Sequence, residues 1–113
     1  MSGKIPAVGT LTERVQLARK TVVPQPEGGH ATIYVPMQKA WARVRSLAGR
    51  MAVSSDARAA NVSHSVVLRF RGDVAPGDRI VYRGRNLEIV SAADINGRRA
   101  YLSCQCSETG VVG

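Results

Sequence analysis

Aromatic residues are scarce in this sequence: one Trp, one Phe and three Tyr among 113 residues. A sheet dedicated to reading bases interleaves aromatics densely with cations, so this supply argues against one. Cysteine is scarcer still, with only Cys104 and Cys106, two positions apart. On an extended strand both point to one face, and a disulfide across so short a loop needs unusual geometry. Two buried thiols are therefore expected in place of a disulfide framework. A structural zinc site needs close ligand pairs converging from two elements, whereas His30 and His64 each stand alone in separate segments. Neither a metal nor a cofactor is expected.

Acidic residues are few, four Asp and four Glu, and they are scattered without a paired signature for hydrolytic chemistry. Asp73 and Asp78 flank a Pro-Gly turn, where turn hydrogen bonds or pairing with Arg71 and Arg79 account for them. The glycines form no phosphate cradle: Gly28-Gly29 lies outside any strand-to-helix motif, and Gly84 suits a hairpin. The chain is read as having no enzymatic activity. No stretch is long and apolar enough to cross a bilayer, and the opening MSGKIPAVGT lacks the hydrophobic centre of a secretory signal. Those two features predict an interior, reducing compartment and no membrane partner.

What the sequence has in quantity is arginine. Lys and Arg number 16 against 8 Asp and Glu, a formal charge of +8, and thirteen of the 16 are Arg. Arginine keeps its charge and makes forked contacts to carboxylate or phosphate, so an acidic partner is expected without its class being specified. The excess is uneven. Residues 1–60 carry nine Lys or Arg against three Asp or Glu, and residues 61–113 carry seven against five.

Residues 1–113 are read as a single domain, since a division would leave two pieces too small to bury useful cores. The segment LTERVQLAR alternates, with Leu11, Val15 and Leu17 on one face; Glu13 interrupts that face, so burial is expected from Val15 onward. TVVPQPEGG suits a flexible connection. ATIYV and WARVRSL then read as two short extended pieces separated at Pro36. Trp41 is the largest hydrophobic side chain available and stands beside Ala42; a core or interface anchor is expected, ahead of a base-stacking platform.

Residues 49–63, GRMAVSSDARAANVS, break the pattern as a long loop rich in small residues, with room for a short helical turn around DARAA. Alternation then returns. Val66, Leu68 and Phe70 share a face, DVAPGD supplies a turn at Pro76, Gly77 and Asp78, and RIVYRGRNLEIVSA reads as two strands joined around Gly84. Asn96-Gly97 marks the next reversal, and Ala100, Leu102, Cys104 and Cys106 share the face of a last strand. Closure would bury one face of every strand and remove open edges. The expected fold is mainly β, a small closed β-barrel of about six strands with a long inserted loop that has room for a short helix.

Taken in order, GTLTERVQLAR, the Gly-rich connection, WARVRSLAGR, the small-residue insertion, HSVVLRFRGDVAPGDRIVYRGRNLEIVSA and RRAYLSCQCSE resemble the head–tail joining proteins of tailed phages, also called head-closure or stopper proteins. The resemblance runs over residues 9–108. It implies a structural protein that assembles as a ring on the portal or adaptor connector of a DNA-filled capsid, helps close the DNA channel and presents a docking surface to a tail or tail-terminator protein. Its place would be the neck of a virion, or of a prophage-derived or gene-transfer particle, after assembly in the host cytoplasm. Packaged double-stranded DNA would lie nearby without being read in sequence. The insertion matches the family's variable loop by location, and its Arg50 and Arg58 are candidate channel or connector contacts. The alternative is a small basic β-barrel that binds nucleic acid, using Arg69, Arg71, Arg79, Arg83, Arg85, Arg98 and Arg99 with Tyr82 and Tyr101 as stacking surfaces.

Overall fold

The computed structural model describes residues 11–47 and 62–109. Strand β1 spans Glu13–Pro24, β2 His30–Ser46, β3 His64–Arg69, β4 Arg79–Tyr82, β5 Arg85–Asp94 and β6 Tyr101–Thr109, with one short 3-10 turn at Ile95–Gly97. Every pairing is antiparallel. The hydrogen-bonded order is β1-β2-β3-β6-β5-β4, and β4 returns to β1, so the ring of ladders closes.

Period-2 alternation builds the interior. Val66 and Leu68 from β3, Leu87 and Ile89 from β5, and Leu102, Cys104 and Cys106 from β6 are fully or almost fully buried, beside Val15, Leu17, Ala42 and Ile80. These side chains face one another across the ring while their sequence neighbours face out. Both thiols are free and lie in this core.

The expected compact closed barrel is corrected in shape: the six strands meet in a ring only through a short seam, and the far ends of β1 and β2 project beyond it. Closure between β1 and β4 rests on three residue pairs, Gln16↔Val81, Leu17↔Ile80 and Ala18↔Arg79. Beyond them β1 and β2 continue together, from Arg19↔Val35 to Pro24↔His30, as a ribbon paired to nothing else. The molecule is accordingly elongated, 50 × 31 × 27 Å. Among the described residues there is no α-helix, and most of the 49–63 insertion, Arg50 and Arg58 included, lies outside them.

The ribbon exists because two breaks expected from sequence do not occur. TVVP belongs to β1 and is not part of a flexible connection, and β2 runs through Pro36 as one strand of 17 residues. Pro36 pairs with Ala18 where the register shifts: Met37 and Gln38 together oppose Leu17. Proline lacks a ladder donor, and a bulge is a place where the ladder is already interrupted. Gln16 Nε2 donates to the carbonyls of Leu17 and Met37 at 2.9 Å each, satisfying acceptors there. The reversal itself is confined to residues 25–29. The Gly28 amide donates to the Gln25 carbonyl and the Gln25 amide to Gly29, both at 3.0 Å, with Gly28 at φ +97°. Pro26 follows Gln25 as the turn requires, giving a tight hairpin closed by a glycine bulge.

Two further turns stand where sequence put them. Pro76 and Gly77 occupy the centre of a turn in which the Asp78 amide donates to the Ala75 carbonyl at 3.1 Å, with Gly77 at φ +98°. Arg83 and Gly84, at φ 51° and 80°, form a two-residue hairpin between Tyr82 and Arg85; paired positive φ values match the strand twist. Asp78 is 8% exposed, and its carboxylate accepts from the Lys20 amide at 3.0 Å and the Ala75 amide at 3.1 Å. It joins the turn to the base of the ribbon. Asp78→Ala leaves both amides without that acceptor and should destabilise the fold by about 2 kcal/mol or more. Urea unfolding should show a lowered midpoint, and the Lys20 amide should exchange faster with solvent.

Candidate functional site

The bulge in β2 decides which side chains reach the surface. From residue 39 onward, the odd positions Lys39, Trp41, Arg43 and Arg45 are exposed, while Ala40, Ala42 and Val44 pack on the core. Arg14 pairs across β1 with Trp41, and its guanidinium lies 4.9 Å from the indole centroid. Residues directly opposite in an antiparallel pair share a face, so Arg14 belongs to the same outer surface. Arg69, at the end of β3, lines the same hollows as Trp41.

Trp41 is 53% exposed, which corrects the expectation of a core anchor. Its neighbours explain the placement: Trp41 shares strand parity with three cations, and the interior at this level is filled by Ala42, Leu68 and Val66. What remains of that expectation is a contact made to a partner. With about half its surface already in water, Trp41→Ala should cost about 1 kcal/mol or less in stability. Thermal or urea unfolding checks this, and a loss on the scale of a core truncation would restore the interior placement.

Beside Trp41 runs an open groove lined by Ala40, Arg69, Phe70, Arg71 and Asp73. Arg71 Nε and Nη2 each donate to an Asp73 carboxylate oxygen at 2.8 Å. That forked hydrogen bond holds the Asp73 carboxyl down to about 2 and raises Arg71. The pair therefore stays ionised at neutral pH and neutralises itself. Arg99 stands 5.7 Å from the Phe70 ring centroid at the same end.

The ribbon carries a different chemistry. Register places Val23, Ala31, Ile33 and Val35 on one of its faces with Arg19 and Thr21, and Ile33, Val35 and, on the opposite face, Val22 are exposed large hydrophobics. At the ribbon's base the Arg79 guanidinium lies 3.7 Å from the Tyr34 ring centroid.

The arginines weighed for nucleic-acid binding do not form one free surface. Arg71 pairs with Asp73, Arg83 with Glu13 at 3.1 Å and Arg85 with Glu108 at 3.8 Å; Arg79 and Arg99 lie against aromatic rings. Tyr101 is buried and offers no stacking face. His64 is buried at the start of β3 with its Nδ1 2.9 Å from Ser63 Oγ, and His30 is exposed at the start of β2. Burial pushes the Cys104 thiol up to about 12 and raises Cys106 as well, so both stay protonated and unreactive in the fold. Among the described residues no group of three or more His, Cys, Asp or Glu is placed to hold a metal ion.

The outer stripe of β2 is legible in the alternation K-x-W-x-R-x-R, although the size of Trp41 points to burial. The ribbon left a fainter signal, since Pro24 and Pro36 both suggested breaks.

Comparison with known proteins places this geometry among related folds. The sequence pattern described as phage head completion protein matches residues 6–109. No curated protein matches the sequence. The solution structure of protein SF1141 from Shigella flexneri 2a superposes with a TM-score of 0.71 at 23% identity, covering 96% of this chain and 100% of that one. A chain in the virion of a native gene transfer agent particle superposes with a TM-score of 0.62 at 21% identity, covering 87% of this chain and 94% of that one. At these identities both likenesses concern the fold.

Proposed function

Because the chain belongs to the phage head completion protein family, whose members are structural and not enzymatic, we propose that it acts as one domain in a ring at the neck of a tailed-phage, prophage or gene-transfer particle. In this reading it docks on the portal or adaptor connector after DNA filling, helps close the channel and presents a surface to a tail or tail-terminator protein. Assembly takes place in the host cytoplasm, and packaged double-stranded DNA passes close by without base-specific contact.

The observation that carries the reading is the division of the exterior. One end of the molecule extends a ribbon with exposed Val22, Ile33 and Val35, and another face presents Trp41 among cations. A subunit with two unlike outward surfaces is suited to sit between neighbours, each making a different contact. Electron microscopy of the chain mixed with its portal-side connector tests this. Annular density on the connector, with no ring from the chain alone, is expected. Tight and strongly salt-dependent binding of the isolated chain to duplex DNA, without connector occupancy, would favour the nucleic-acid reading instead.

Arg50 and Arg58 belong to this proposal as channel or connector contacts, on the basis of their charge and of their place in the insertion. Copies of that segment around a ring would put repeated positive charge near phosphate. Replacing both with Ser should leave stability nearly unchanged and increase DNA leakage from assembled heads at normal connector occupancy. Reduced occupancy would assign them to docking, and unchanged leakage with unchanged occupancy would remove them from either role.

A further inference from the structure

Among the described residues, the outer face of β2 concentrates positive charge with no carboxylate paired to it. Lys39, Arg43 and Arg45 alternate along the strand with Trp41, and Arg14 and Arg69 flank the indole from the neighbouring strands. Among the described residues, no ion pair involves any of these five cations. The carboxylates nearest to Arg14 and Arg69 in sequence are committed elsewhere: Glu13 pairs with Arg83, and Asp73 is taken by Arg71. Five like charges around a half-exposed indole repel one another, and a partner of opposite sign relieves that repulsion.

We infer that this face is a docking site for an acidic protein surface, one that presents carboxylates around an apolar contact to Trp41. The inference rests on the proposed structural role and adds to it the chemistry of one partner. Two features choose protein over nucleic acid. Contacts to a phosphate backbone need no apolar element, whereas here the centre of the patch is a large exposed indole beside a groove of mixed lining that includes Ala40 and Phe70. Tryptophan at the centre with arginine around it is the composition that dominates binding energy at protein interfaces, the arginines taking carboxylates in forked geometry. Strand geometry adds order: alternate residues lie about 7 Å apart, so Lys39, Trp41, Arg43 and Arg45 leave the strand in a single row. A second copy of this chain is a poor occupant, because it brings the same excess of +8.

Trp41 is the only tryptophan, so its fluorescence reads the occupancy of this face directly. The experiment titrates the full chain with a decapeptide of alternating Glu and Leu and, separately, with a mixed-sequence duplex DNA of about two helical turns, at the same ionic strength. The peptide should shift and quench the Trp41 emission. Arg43→Glu combined with Arg45→Glu should weaken that binding on the order of tenfold or more. Arg85→Glu combined with Arg98→Glu, which changes net charge equally on β5 and the turn after it, should weaken it only a few-fold. The duplex should bind more weakly than the peptide or leave the emission unaltered. The inference is overturned if the peptide fails to change the emission, if the two double variants weaken it equally, or if the duplex binds more tightly and protects Trp41. Connector binding that survives the Arg43 and Arg45 reversal in electron microscopy would overturn this docking site while leaving the structural role intact. Loss of connector binding by the wild-type chain would count against the role itself.

Discussion

The carboxylate of Asp78 holds together the part of this fold that is least well supplied with pairing. β4 is short and returns to β1 through three residue pairs, few for the seam that closes a ring. Immediately before that seam, Asp78 accepts amide hydrogens from Lys20 and Ala75, while its own carbonyl accepts from the Ile89 amide at 2.9 Å and the Gly77 amide donates to the Ile89 carbonyl at 2.9 Å. One residue thus ties the turn, the neighbouring strand β5 and the first residues of the ribbon. A buried carboxylate is costly unless its oxygens are satisfied, and here backbone amides satisfy them in the geometry that also sets the strand register.

That seam determines what lies inside the molecule and what projects from it. From Gln16 to Ala18, β1 is held on both sides, by β2 and β4; beyond Ala18 its only strand partner is β2. The bulge at Met37 and Gln38 sits at the same level and reverses the parity of β2, so that Met37 and Ala40 both pack on the core. A β-bulge re-aims side chains, and this one sends Lys39, Trp41, Arg43 and Arg45 to the outer surface while Ile33 and Val35 continue the inner face into solvent. The two surfaces on which assembly would depend are consequences of one irregularity and one short seam.

In this family the chemistry is that of surfaces, and the structure shows how few groups remain free to act through them. Most arginines of the second half are engaged with carboxylates or rings, leaving the β2 face as the principal uncompensated charge among the described residues. The thiols are sealed in the core. Little distinguishes one end of the molecule from another except where the ribbon and the basic face are placed.

Much of this was written in the local pattern. The alternation of Val66 and Leu68, of Leu87 and Ile89 and of Leu102, Cys104 and Cys106 determined the core by itself, because a strand with one apolar face has a single register that buries it. Pro76-Gly77 and Gly84 determined their turns, because few residues accept the backbone angles those turns impose. Trp41 was legible in principle: its parity matched Lys39, Arg43 and Arg45, not Ala40, Ala42 and Val44, yet hydrophobic size suggested burial. Its exposure, the course of β2 through Pro36 and the free ribbon were decided only by tertiary structure. A proline ends a strand unless the ladder is already broken at that point, and whether it is broken depends on the strand opposite. A large apolar side chain is buried only where the fold leaves it volume, and that volume is set by residues distant in sequence.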